Sequence, residues 1–189
     1  MKNRKAYVIA FSGVCVAMNI VLGIITSALG IPLYLDTLGT VLTAALIGPL
    51  PGVIVGSLSN IITGFMYSVS DIPFFLVNAA IGLIVGLVAK KWKFTFPIAL
   101  ILGLALSVIC PVIGTPIGIM VYGGLNGTLS DVLVLALQQT GQSIFAASFI
   151  RNIASNLVDK VGTCLIAWAV LKSLPARFKD NFTLQNATK

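Results

Sequence analysis

Long apolar segments alternate with short polar ones along almost the whole chain of 189 residues. A bilayer hydrocarbon core of about 30 Å requires roughly 20 helical residues for each crossing. The pattern therefore predicts an all-α membrane protein, a compact bundle of six transmembrane helices at about residues 7–29, 36–47, 52–66, 72–89, 96–120 and 140–171. The second and third segments are short, so we expect them to be tilted or shielded by neighbouring helices. Because these spans use nearly all of the chain, residues 1–189 are predicted to form a single integral membrane domain.

Two outer loops are predicted around these spans. Gly30 and Pro32 end the first span in a short loop. Residues 125–139 mix polar and apolar side chains, which predicts an outer loop with a short helix that begins at Ser130. The last helix would be about 45 Å long at 1.5 Å per residue. Its first turns are therefore expected at or above the outer interface.

The charged residues orient this bundle. Hydrophobic residues make up 58% of the chain and charged residues only 9%. The basic residues form three groups beside apolar segments, at residues 2–5, 90–93 and 172–179, whereas the intervening loops carry Asp36, Asp71 and Asp131. Since cationic loops are retained in the cytoplasm, both termini are predicted to lie inside and the three aspartates outside. The expected location is the cell membrane, as a multi-pass protein.

Several function classes are disfavoured. The net charge of +7 comes from the basic groups beside apolar segments, so the lipid bilayer rather than nucleic acid is the expected partner. The chain has no His and no Glu, and Cys15, Cys110 and Cys164 each lie within an apolar run, so neither a metal site nor a disulfide is predicted. No phosphate-binding loop, cofactor motif or pair of nucleophile and base occurs. We therefore expect no enzymatic activity and no cofactor.

Small residues recur at helical spacing within the spans. Gly48, Gly52, Gly56, Asn60 and Gly64 follow one another at intervals of four, and Asn78, Gly82 and Gly86 repeat the pattern. Small residues at this spacing let helix backbones approach closely. Tight packing within the bundle is the favoured interpretation, with a direct role in binding a ligand or partner as the alternative.

The first span carries a similar step at Gly13 and Ala17. If this face points inward, the step serves bundle packing. If it points outward, it offers another helix a smooth docking surface. The periodicity leaves both alternatives open.

The last span contains the densest intramembrane polarity. At 100° per residue, Asn156 and Asp159 fall within about 40° of Asn152, and Ser148 and Phe145 share that face. Polar side chains that face lipid cost several kcal/mol, so this face is predicted to line a cavity. Arg151 and Lys160 lie to either side of it. The alternatives are that Asp159 pairs with Lys160, or Arg151 with an outer aspartate, as an internal ion pair, or that Arg151 extends to the outer headgroups.

Three more polar residues are expected at the same depth. Tyr34, Asp36 and Asn78 stand at the outer ends of their spans and, with Asn152, Asn156 and Asp159, are predicted to form an extracellular substrate-binding pocket. In the fifth span, Pro111 and Pro116 remove backbone donors and predict a kinked or broken helix. Carbonyls freed by such a break would have to line protein or a cavity.

The run Tyr-Leu-Asp-Thr-Leu-Gly-Thr at 34–40, followed by Gly-Pro-Leu-Pro-Gly-Val-Ile-Val-Gly at 48–56, resembles the second and third spans of S-components. These are the substrate-binding membrane subunits of energy-coupling factor (ECF) vitamin transporters. The resemblance extends over nearly the whole chain. It implies capture of a water-soluble vitamin or precursor near the outer face, through the first outer loop and the fourth to sixth spans.

The resemblance also implies partners. In that family an Ala-xxx-Ala step of the first span docks on a coupling transmembrane subunit, and here Gly13 and Ala17 stand at the matching positions, with Gly in place of the first Ala. ATP hydrolysis would belong to two separate ATPase subunits. Family members bind different vitamins, from riboflavin to cobalamin, through divergent pocket residues. The lack of Glu and the amide-rich face favour a neutral or zwitterionic heteroaromatic ligand, and a cobamide stays open.

Two other functions remain as alternatives. A stand-alone ion-coupled carrier for a small polar solute would require an ion-coupling residue, and Asp159 is the acidic candidate within a span. A membrane sensor module is the second alternative, although the chain shows no signalling domain.

Overall fold

The structure of the protein is a computed structural model, which describes residues 4–29, 34–125 and 131–182. Its helices are α1 Arg4–Ala28, α2 Leu38–Leu46, α3 Pro49–Met66, α4 Phe75–Lys91, α5 Phe96–Tyr122, α6 Asp131–Gln139, α7 Ile144–Ser173 and α8 Ala176–Lys179, with a short 3-10 helix, Val69–Phe74, before α4. The described residues contain no strand, so the all-α prediction is confirmed. The predicted turn at Gly30 and Pro32 and the predicted helix start at Ser130 lie outside the described residues.

Five helical segments in the described part of the chain are long and apolar enough to cross a membrane. They are Arg4–Ala28, Pro49–Met66, Val69–Lys91, Phe96–Tyr122 and Ile144–Ser173. The remaining predicted span corresponds to α2, which has only nine residues. At 1.5 Å per residue it rises about 14 Å, less than half the hydrocarbon core. Seven of its residues are buried, so neighbouring helices shield it from lipid.

Prolines and glycines explain where the observed helices differ from the predicted ones. Helix α3 begins at Pro49, earlier than predicted, because proline fits the first turn of a helix. Gly48 before it has a φ of 129°, which favours glycine. Helix α5 continues through Pro111 and Pro116, so of the two predicted forms, a kinked helix or a broken one, the broken helix is not observed.

The glycine stripes lie where α3 crosses α4. A Cβ on Gly82 would stand 2.4 Å from the carbonyl carbon of Gly52, and one on Gly56 would stand 2.6 Å from the carbonyl oxygen of Asn78. A Cβ on Gly86 would come within 2.3 Å of the Cα of Pro49. These distances are too short for any side chain, so the predicted tight packing is confirmed.

Helix α1 lies at the edge of the bundle. Only Cys15, Asn19 and Thr26 are buried along its 25 residues. Gly13 and Ala17 are exposed, and a Cβ on Gly13 would meet nothing within 4 Å. Of the two alternatives for this step, the outward orientation is therefore the one observed.

Candidate functional site

A cavity of about 530 Å³ opens between α1, α3, α4, α5 and α7. It occupies the end of the bundle that carries Asp36 and Asp71, away from the basic residues at 90–93 and 172–179. Polar residues on its walls are Asn19, Ser27, Tyr34, Asp36, Thr37, Ser59, Asn60, Thr63, Ser68, Asp71, Asn78, Thr115, Tyr122, Ser148, Arg151, Asn152, Asn156 and Lys160. A volume of this size is typical of pockets that enclose a small organic molecule.

The polar face of α7 forms one wall of the cavity. Ser148, Asn152 and Asn156, at intervals of four, all line it. The Asn152 amide donates to Thr115 Oγ1 of α5 at 2.9 Å, and the Asn156 amide donates to the carbonyl of Asn152 at 2.8 Å. These bonds fix both side chains toward the cavity. Phe145, by contrast, is 48% exposed and stacks on Phe149.

Asp159 lies behind this wall, fully buried. Its Oδ1 accepts from the backbone amides of Tyr34 and Leu35, each at 2.9 Å, and its Oδ2 accepts from Lys160 Nζ at 2.6 Å. Leu35 has a φ of 45°, a left-handed conformation that is uncommon for leucine. The Asp159 carboxylate therefore binds the turn between α1 and α2 and is not among the residues that line the cavity.

Two internal ion pairs hold the cationic residues of the cavity wall. Lys160 pairs with Asp159, and its Nζ also donates to Thr37 Oγ1 at 3.2 Å. Arg151 is buried and pairs with Asp131 of α6, and it also donates to the carbonyl of Gly124 and to Asn152 Oδ1. The sequence left open whether these residues belong to the pocket or to internal ion pairs. Arg151 and Lys160 do both, because each lines the cavity while bound to a carboxylate.

A hydrogen-bonded chain of side chains connects α1 with α4 at the floor of the cavity. Asn19 donates to Thr40 and Ser59, each at 3.0 Å, and accepts from the amide of Gly39. Thr40 donates to Asn78 Oδ1 at 2.8 Å, and the Asn78 amide donates to Asn60 at 2.6 Å. Asn78 is thus held in place as part of the cavity wall.

Asp36 brings a carboxylate to the wall from the turn that precedes α2. Its Cβ lies 3.4 Å from the place where a Cβ on Gly23 of α1 would stand. Among the described residues, no donor reaches Asp36 Oδ1, although this oxygen is buried. Desolvation raises the pKa of the Asp36 carboxyl, whereas the charge of the Lys160 ammonium acts in the opposite direction. Asp36 therefore presents an acceptor that the described part of the protein does not use.

The structure brings five of the six sequence-predicted pocket residues to one cavity: Tyr34, Asp36, Asn78, Asn152 and Asn156. The cavity wall also contains five residues that were not predicted as pocket residues: Asn19, Asn60, Asp71, Thr115 and Tyr122. Asn19 and Asn60 interrupt apolar helices, which is a usable signal for a polar cavity. Asp71 and Tyr122 come together only in the fold, where the Tyr122 hydroxyl donates to Asp71 Oδ1 at 2.5 Å.

The described residues contain no group of three or more His, Cys, Asp or Glu that could hold a metal ion. Cys15, Cys110 and Cys164 are free and buried.

The family model for the S component of the ECF-type riboflavin transporter matches residues 3–172 of the chain. Comparisons with curated proteins and with solved structures gave no match.

Proposed function

Because the chain belongs to the family of ECF-type riboflavin transporter S components, we propose that it captures a water-soluble vitamin or vitamin precursor in the cavity described above. The observation that carries this proposal is the cavity itself, a polar hollow of about 530 Å³ inside an apolar helical bundle. Intramembrane polar residues are costly and mark solute sites. The protein is a multi-pass membrane transport subunit and not an enzyme.

We propose that Tyr34, Asp36, Asn78, Asn152 and Asn156 contact the ligand. Their amides, hydroxyl and carboxylate can match the donors and acceptors of a heteroaromatic vitamin. Riboflavin, which the family description names, is the first ligand to test. For Asp159 we propose an indirect role, in which its carboxylate positions the Tyr34–Leu35 turn over the cavity.

We propose that the cavity opens to the cell exterior and that both termini lie in the cytoplasm. The basic residues at 90–93 and 172–179 lie at the opposite end of the bundle from the cavity, as expected for the cytoplasmic side. In this topology α2 serves as a sixth, shielded crossing between α1 and α3. Its contacts with α1, α3, α4 and α7 support that role.

We propose that α1 docks on the coupling transmembrane subunit of the transporter, which in turn binds two ATPases. Gly13 and Ala17 form a shallow exposed step, and the flanking Val14 and Val21 are 66% and 52% exposed. A smooth apolar strip of this kind fits the backbone of a partner helix.

Leucine at both Gly13 and Ala17 tests this function. Since a Cβ on Gly13 meets nothing within 4 Å and Ala17 is exposed, the fold and the binding of vitamin should be unchanged. Copurification with the coupling subunit and its ATPases, and vitamin uptake by liposomes that contain the whole complex, should fall at least about tenfold, a loss of about 1.4 kcal/mol or more.

The matched control is Gly162→Leu on α7, where a Cβ also meets nothing within 4 Å. It should leave copurification and uptake intact. Uptake by this chain alone, driven by a proton or sodium gradient, would instead support a stand-alone carrier. Unchanged copurification of the double leucine variant would refute docking through this step.

A further inference from the structure

The charges around the cavity do not balance. The cations on its walls are Arg151 and Lys160, and the carboxylates are Asp36 and Asp71. Each cation is already paired with a carboxylate outside the lining, Arg151 with Asp131 and Lys160 with Asp159. The group as a whole therefore contains two cations and four carboxylates. An anionic ligand would meet excess negative charge and no unpaired cation among these residues.

The two carboxylates that line the cavity differ in their hydrogen bonds. Asp71 Oδ1 accepts a hydrogen bond from the Tyr122 hydroxyl, and the ring of Tyr122 stacks on the ring of Phe74. Asp36 Oδ1 is buried and has no hydrogen-bond partner among the described residues. A buried acceptor without a donor is unfavourable, because the desolvation of the oxygen is not compensated. A ligand in the cavity can supply the missing donor.

We infer that Asp36 determines the class of ligand by accepting a hydrogen bond from it, so that the cavity selects a neutral or cationic molecule with an N–H or O–H donor over one that carries a carboxylate or phosphate. This inference rests on the proposed function. It adds the chemical class of the ligand and assigns Asp36 as the residue that recognises it. A charge-assisted bond to a buried carboxylate is stronger than one between neutral groups.

Isothermal titration of the purified full chain in detergent tests this inference. Riboflavin, thiamine and pyridoxine serve as neutral or cationic probes, and biotin and pantothenate as anionic probes. We expect a probe of the first group to bind, and Asp36→Leu to weaken its binding at least about tenfold. The thermal midpoint of the ligand-free variant should change little, because the uncompensated burial of Asp36 Oδ1 and the attraction of the carboxylate to Lys160 oppose each other. A merely structural role of Asp36 would lower this midpoint.

Asp180→Leu is the matched control, since it removes the same charge from an exposed position outside the cavity. The affinity of this variant for the probe should change by less than about threefold, under 1 kcal/mol. Equal losses of affinity in both variants, unchanged affinity in Asp36→Leu, or tight binding of an anionic probe would overturn the inference while leaving the proposed function in place. Binding of no probe by the wild-type chain would instead overturn the proposed function, and the inference with it.

Discussion

Asp159 and Lys160 are neighbours in the chain, and their side chains lie in different surroundings. Asp159 is buried against the turn at Tyr34 and Leu35, and Lys160 reaches the cavity wall. Two charges removed from water are tolerated because they lie 2.6 Å apart and make further hydrogen bonds. Removal of one partner from such a pair leaves a buried charge without compensation.

We therefore predict that Lys160→Met destabilises the protein by about 3–5 kcal/mol. Unfolding in detergent measures this loss. Lys172→Met is the control, because Lys172 is exposed near the end of the same helix and should tolerate the change. Equal stability of the two variants would show that the Asp159 carboxylate does not depend on Lys160.

The periodicity of α7 predicted part of this arrangement. It placed Asn152, Asn156 and Ser148 on one face, and all line the cavity. It placed Asp159 on the same face, yet Asp159 lies behind the wall. Helical angle fixes the direction of a side chain but not what covers it. Here the turn at Tyr34 and Leu35, remote in sequence, covers that part of the face.

At the scale of elements, the crossing of α3 and α4 depends on glycine. A Cβ on Gly82 would stand 2.4 Å from the backbone of Gly52, so the two helices could not keep their present distance. We predict that Gly82→Ala destabilises the protein by about 1–3 kcal/mol through overpacking. Unfolding in detergent compares the stability of Gly82→Ala with that of Gly162→Ala.

Gly162 lies within α7, and a Cβ there meets nothing within 4 Å. Alanine at this position should be neutral or stabilise the protein by up to about 1 kcal/mol, because it favours the helix. If Gly82→Ala proved as stable as Gly162→Ala, the close approach of α3 and α4 would not be required.

Element positions were largely predictable, and element lengths less so. Apolar runs predicted the long helices, and the four-residue spacing of glycines predicted tight packing along two of them, although not which helices pack against each other. The short length of α2 was predicted only in part. Residues 36 and 37 belong to a turn and not to the helix, and neighbouring helices bury seven of its nine residues. So short a helix can remain within the bundle because its neighbours bury it on all sides. The sequence alone does not show this burial.

At the scale of the whole molecule, the cavity is assembled from five α-helices, the 3-10 helix and the turn before α2. Asn19, Asn60 and Asn78 reach it through a hydrogen-bonded chain that spans α1, α2, α3 and α4. Asn78 was predicted as a pocket residue but its hydrogen-bond partners were not, because these contacts depend on how the helices pack. The membership of the S-component family, predicted from the runs at 34–40 and 48–56, is confirmed by the family match over residues 3–172.

The polar face of α7 lines the cavity, and we propose that this cavity holds a vitamin. The most direct measurement is the affinity of the purified protein for riboflavin, or for whichever vitamin it binds, with and without alanine at both Asn152 and Asn156. Removal of each amide should cost about 1–3 kcal/mol of binding free energy, so binding should be at least about tenfold weaker. The control carries alanine at Gln138 and Gln139, two exposed residues of α6 outside the cavity. It should bind the vitamin as the wild type does. Equal affinity of the Asn152/Asn156 variant and this control would show that the polar face of α7 does not bind the vitamin.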